Sequence, residues 1–195
     1  SAEGEKVLRN AIKYMLPAAP SEPQAPGPVA HWKLDEGSGT IAADSTGNGH
    51  DGTLKGGPQW VAGMIGGALE FDGVDDNVNI DGWKGICIDP SDPNSVQPAF
   101  SVSCWFKTTG NGALVSWGTN TGGQRLDLRL NNGRLRTEHG NGNLQGDITC
   151  NDGAWHHCAL TVTKGTAIMT PGTLLWLNGA VDVRASTDGD PDTYN

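Results

Sequence analysis

The sequence predicts an all-β fold, an antiparallel two-sheet β-sandwich, preceded by a short N-terminal helix and a proline-rich linker. Three observations predict it. Short segments alternate apolar and polar residues with period 2, the signature of half-buried antiparallel strands. Glycine is abundant, 29 of 195 residues, and falls between these segments. Strands are not interleaved with long amphipathic helices, so a parallel α/β sheet is excluded. The clearest alternation runs over residues 99–107: Phe100, Val102, Cys104 and Phe106 share one side, and Ser101, Ser103, Trp105 and Lys107 the other.

Taken in order, residues 1–16 carry Val7, Leu8, Ile12, Met15 and Leu16 at helical spacing, the tail of a preceding domain. Residues 17–28 hold repeated prolines and form a semi-extended linker. The main domain is expected over 29–195, with strands at 29–34, 68–71 and 77–80 before the strand at 100. Residues 81–98 read as an irregular insertion. Further strands follow at 113–117, 125–130, 134–138, 155–163, 174–177 and 180–184. Asn132-Gly133 and Asn178-Gly179 are type I′ hairpin signals, because both central residues must adopt positive φ. A two-residue turn at Asn132-Gly133 pairs Leu130 with Leu135, Arg129 with Arg136, and Asp127 with Glu138.

Charge and cysteine content narrow the function classes. The net charge is −9, all of it carried beyond residue 28. An acidic domain repels phosphate backbones, so nucleic acid is excluded as a partner. No apolar run reaches the roughly 18–20 residues that span a bilayer, so membrane insertion is excluded. Cys87, Cys104, Cys150 and Cys158 show no zinc spacing. Cys104 and Cys158 fall on apolar strand faces, as free core thiols do; export would permit one disulfide, and the spacing chooses no pairing.

Six stretches then combine, in order: His31-Trp-Lys-Leu-Asp-Glu-Gly-Ser-Gly-Thr40, Asp44-Ser-Thr-Gly-Asn-Gly-His-Asp-Gly-Thr53, Gly67-Ala-Leu-Glu-Phe-Asp-Gly-Val-Asp-Asp76, Phe100-Ser-Val-Ser-Cys-Trp-Phe-Lys107, Trp155-His-His-Cys-Ala159 and Leu175-Trp-Leu-Asn-Gly179. Over residues 29–184 the chain resembles a laminin-G-like jelly-roll domain of the concanavalin A-like lectin/glucanase superfamily, bacterial type. The resemblance implies a non-catalytic module of a larger exported protein (periplasmic, cell-surface or secreted) that binds carbohydrate or a cell-surface glycan. The alternative is a protein–protein adhesion or spacer module, and a glycan-degrading enzyme is the third reading. Such domains close with a C-terminal strand that this sequence lacks. An open sheet edge is therefore expected, available for intermolecular strand contact.

The resemblance also implies structural Ca²⁺ near the 44–52 loop, where Asp44, Asn48 and Asp51 offer hard oxygen ligands. Asx turns place Asp and Asn at such positions equally well. The hairpin residues Arg125, Asp127, Arg129, Arg136 and Glu138 form a ladder able to hydrogen-bond sugar hydroxyls, with Trp117 or Trp105 as a stacking platform. The competing reading is a solvated face whose diagonal pairs offset like-charge repulsion. His156 and His157 point to opposite faces and cannot share one ion. The glucanase pattern Glu-x-Asp-x-x-Glu is absent, since Glu70-Phe-Asp72 lacks the third acid, so no catalytic residues are assigned.

Overall fold

The computed structural model describes residues 27–86, 98–118, 125–139, 142–163 and 172–184. The expected helix at 1–16, nearly all of the linker, Cys87 and most of the 81–98 insertion lie outside the described residues. Among the described residues every regular element is a β-strand.

The N-terminal part forms two small antiparallel units. Strands β1 (Ile41–Ala42), β2 (Gly52–Lys55) and β5 (Asn77–Asn79) make a sheet ordered β1-β2-β5, and β3 (Gln59–Ala62) pairs with β4 (Gly67–Glu70). The expected strand at 29–34 is reduced to one bridge between Trp32 and Asp44. Leu34 has φ 59°, a left-handed conformation that breaks an extended run.

The remaining strands are β6 (Phe100–Lys107), β7 (Gly112–Gly118), β8 (Arg125–Asn131), β9 (Arg134–His139), β10 (Gly142–Thr149), β11 (Trp155–Val162), β12 (Leu174–Leu177) and β13 (Ala180–Arg184). They form two four-stranded antiparallel sheets, ordered β13-β12-β11-β6 and β10-β9-β8-β7. Alternation decides which side chains meet. Phe100, Phe106, Cys158, Leu160, Val162, Leu175 and Leu177 from one sheet join Leu126, Leu128, Leu130, Leu135 and Leu144 from the other in a single apolar core. Each buried Leu or Phe contributes about 1.5–3 kcal/mol relative to exposure, which makes this core the main source of stability.

Both Asn-Gly turns form as the sequence predicts, with positive φ at Asn132, Gly133, Asn178 and Gly179. The Asn132-Gly133 turn is docked at its base: Gly133 donates its N–H to Asn111 Oδ1 at 2.7 Å, and its carbonyl accepts from Cys150 N at 2.8 Å. The predicted register holds, with Leu130 opposite Leu135, Arg129 opposite Arg136, and Asp127 opposite Glu138. That register fixes the polar face.

Candidate functional site

The core-directed leucines of β8 leave Arg125, Asp127 and Arg129 on the outer side of their sheet. β9 adds Arg134, Arg136 and Glu138 to that side. Rows then run across the strands: Ser116, Asp127, Glu138 and Asn143 in one, and Ala113, Arg129, Arg136 and Gln145 in the next.

These side chains hold one another. Asp127 is 2% exposed and accepts from Ser116 Oγ and from the Arg125 guanidinium. Its hydrogen bond and charge push the Arg125 guanidinium further up from its usual value. Glu138 accepts from Arg136 Nε at 2.8 Å and lies 3.8 Å from Arg129 Nη1, the expected diagonal contact. The other expected diagonal is replaced, because Asp127 pairs along its own strand with Arg125. Gln145 Oε1 accepts from Arg136 Nη1 at 3.2 Å, and Gln145 Nε2 donates to Asn131 O at 3.3 Å. Arg129 Nε is buried without an acceptor among the described residues.

Ser116, Asn131, Asn143 and Gln145 complete this face and were not legible as members of it. Ser116 arrives through a β-bulge between Ala113 and Val115. Gln145 and Asn143 lie on β10, whose Gly142, Gly146 and Asp147 blur the alternation.

The tryptophans stand elsewhere. Trp117 pairs with Leu126 and turns to the core side, where its ring meets Phe100 edge-on at 5.7 Å and its Nε1 donates to Ile86 O at 3.1 Å. Trp105 lies on the outer face of the other sheet, 41% exposed, with its ring 5.3 Å from that of His157. Neither joins the arginines. His156 turns the opposite way, its ring 5.8 Å from Phe106, so the two histidines diverge as expected.

The 44–52 loop is organised around Asp44. Oδ1 accepts from His31 N at 3.0 Å, Thr46 N at 3.0 Å and Thr46 Oγ1 at 2.8 Å. Oδ2 accepts from Thr46 Oγ1 at 2.8 Å and His50 N at 3.2 Å. Burial opposes ionisation of this carboxyl, but these donors together outweigh it and hold the group far below the ordinary aspartate range. Asp51 Oδ1 accepts from Asp44 N at 2.7 Å, and Asn48 Nδ2 donates to Val29 O at 2.8 Å. Three expected calcium ligands thus sit in one loop, but their polar atoms serve separate backbone partners. A carboxylate whose two oxygens already accept from N–H and O–H donors does not fit a cation, which counts against Asp44 as a calcium ligand. The acidic group whose oxygens do approach one another is Asp72, Asp75 and Asp76, within 4.8 Å, in an exposed turn closed by Asp72 N to Asp76 Oδ2 at 2.9 Å and Val74 N to Asp72 Oδ1 at 2.8 Å.

The family model described as the concanavalin A-like lectin/glucanases superfamily, of laminin G type, matches residues 72–195. Comparison with curated proteins finds no match. Among solved structures, the chain is similar to an S-layer domain-containing protein from Clostridium thermocellum, with 21% identity and a TM-score of 0.47 over 82% of this chain and 74% of that one. With two antiparallel sheets around one core and a family match over most of its length, the chain belongs to the concanavalin A-like lectin/glucanase superfamily.

Proposed function

We propose that the domain is a non-catalytic recognition module of an exported, cell-surface protein, and that it binds carbohydrate at the outer face of the β7–β10 sheet. The observation that carries this reading is the interlocked set of Arg125, Asp127, Arg129, Arg136 and Glu138 on one face of the sheet. Guanidinium and carboxylate groups held in fixed planes supply the directional donors and acceptors that sugar hydroxyls need. Arg129 is one-third exposed, so its guanidinium can offer outward N–H donors to a ligand oxygen. Four arginines against two carboxylates suit hydroxyl- and carboxylate-bearing sugars.

The carboxylates themselves favour binding over hydrolysis. A glycosidase flanks the scissile bond with two carboxyl groups in an open cleft, in environments that separate their roles. Here Asp127 is buried beneath Ser116 and Arg125, and Glu138 is held by Arg136. A protein-adhesion role is the second reading, favoured by Ile65 at 73% and Val74 at 85% exposure.

Glycan arrays followed by calorimetric titration test the proposal. Binding to at least one glycan is expected, weakened tenfold or more (about 1.4 kcal/mol) by Arg129→Ala or Arg136→Ala. No bound glycan in any class would overturn it, and release of shortened sugars would move the assignment to an enzyme.

A further inference from the structure

Cys104 on β6 and Cys158 on β11 are directly opposed in the strand register, and their sulfurs are 3.5 Å apart. Opposed residues of an antiparallel pair have Cα atoms about 4.5 or 5.5 Å apart, and both separations fall within the span of about 4.4–6.8 Å seen in disulfides. Joining the two sulfurs therefore needs side-chain rotation and at most a small approach of the two strands. Access is asymmetric, since Cys158 is fully buried and Cys104 half-buried.

We propose that Cys104 and Cys158 are a redox pair that closes into a cross-strand disulfide on meeting a low-molecular-weight disulfide. Cys104, as the reachable sulfur, attacks one sulfur of the oxidant. Its Sγ–S bond forms, the oxidant's S–S bond breaks, and one thiolate leaves and takes up a proton. Cys158 then gives up its proton and attacks Cys104 Sγ, expelling the second thiol. Two protein thiols are oxidised and one small disulfide is reduced to two thiols. The electrostatics agree with this division of roles. The hydrogen bond from Cys158 holds the Cys104 thiol below its ordinary value, while the same contact and burial push Cys158 up. Burial likewise pushes the third core thiol, Cys150, up, which keeps it protonated.

The bond would have a structural consequence. Strands β7 to β10 all lie between Cys104 and Cys158 in sequence, so the disulfide closes a loop containing the whole opposing sheet. Closing so long a loop restricts the unfolded chain strongly. It would also fasten β6, which stands at the end of its sheet among the described residues, to its neighbour β11.

The unsubstituted chain tests the proposal. Reduced protein is incubated with oxidised glutathione, alkylated under denaturing conditions and digested. A peptide pair joining Cys104 to Cys158 is expected, with an intact-mass loss of about 2 Da. The melting temperature should rise by about 5 °C or more, reversibly with reductant. Alkyl groups on both Cys104 and Cys158 after oxidation, or a linkage of either to Cys87 or Cys150 instead, would overturn the pairing. The Cys158→Ala variant should stop at one glutathione adduct on Cys104, and an unmodified Cys104 there would overturn its role as entry sulfur.

Discussion

The carboxylate of Asp182 on β13 occupies the space in which a Cβ on Gly146 of β10 would have to sit. Its Oδ1 accepts the backbone N–H groups of Asp147 at 3.1 Å and Ile148 at 3.2 Å, tying the edge of one sheet to the edge of the other where β10 departs from regular register. A methyl group at 146 must push this carboxylate out of its contacts. Gly146→Ala should therefore cost about 2–3 kcal/mol in urea unfolding. Asp182→Ala should cost about 1–3 kcal/mol by orphaning the two N–H groups. The double variant should lose clearly less than the two single losses combined, because the overlap is gone. Strict additivity would show that the two residues are not coupled.

The β8–β9 hairpin was legible because Asn132-Gly133 leaves one turn geometry, and that turn sets every pair behind it. Trp117 was not legible, for a reason that is local. Ala113 lies opposite Arg129, so unbroken alternation would carry Val115 and Trp117 onto the arginine face. The bulge inserts one extra residue, and a one-residue slip sends each later side chain to the other side. Ser116 thereby reaches Asp127 and Trp117 enters the core. The short strands β1, β2 and β3 are not legible in the sequence because two to four residues carry too little periodicity to separate them from glycine-rich turns.

Thr137 is completely buried between Leu128 and Leu144 in the strand register, and its hydroxyl oxygen has no hydrogen-bond partner among the described residues. Burying an unpaired hydroxyl is unfavourable, and valine has nearly the same shape without it. Thr137→Val should raise stability by about 1 kcal/mol, read as a higher urea midpoint at unchanged slope. A loss of stability would mean that the hydroxyl is satisfied in solution.

The pH dependence should trace to Asp44. Its carboxyl is depressed below the ordinary 3.8 in the fold, so the unfolded chain binds its proton first as pH falls. The stabilisation is complete at neutral pH and is withdrawn below about pH 4 as the medium approaches the folded-state value. Asp152, held down by the Ala154 N–H and by His156, acts in the same direction. Thermal melts from pH 7 to pH 2 should show a falling stability that Asp44→Asn makes shallower. Parallel curves for the two proteins would remove Asp44 from the account.

Calcium should have little effect on the 44–52 loop. The Asp44 oxygens already accept from His31, Thr46 and His50, and a cation there would have to displace N–H donors. Chelator and millimolar calcium should give melting temperatures within about 1 °C of each other. A clear calcium-dependent rise that Asp44→Asn abolished would show that the loop rearranges to bind the ion.

Trp117 and Arg129 should separate stability from recognition. Trp117 is half-buried and packs on the core against Phe100 and Gly85, and its indole N–H is bonded to Ile86 O. Trp117→Ala should cost about 3–5 kcal/mol. Trp117→Phe keeps an aromatic ring in place and should remain folded, with glycan affinity per folded molecule unchanged. Arg129 is one-third exposed, and its nearest ion pair is a loose 3.8 Å contact with Glu138. Arg129→Ala should therefore change stability by no more than about 1 kcal/mol. Its effect should appear in titration, as the tenfold or greater weakening expected of a ligand-facing group. A Trp117→Phe variant that folds normally but binds tenfold more weakly would place the ligand on the tryptophan side of the sheet and remove the arginine face from consideration.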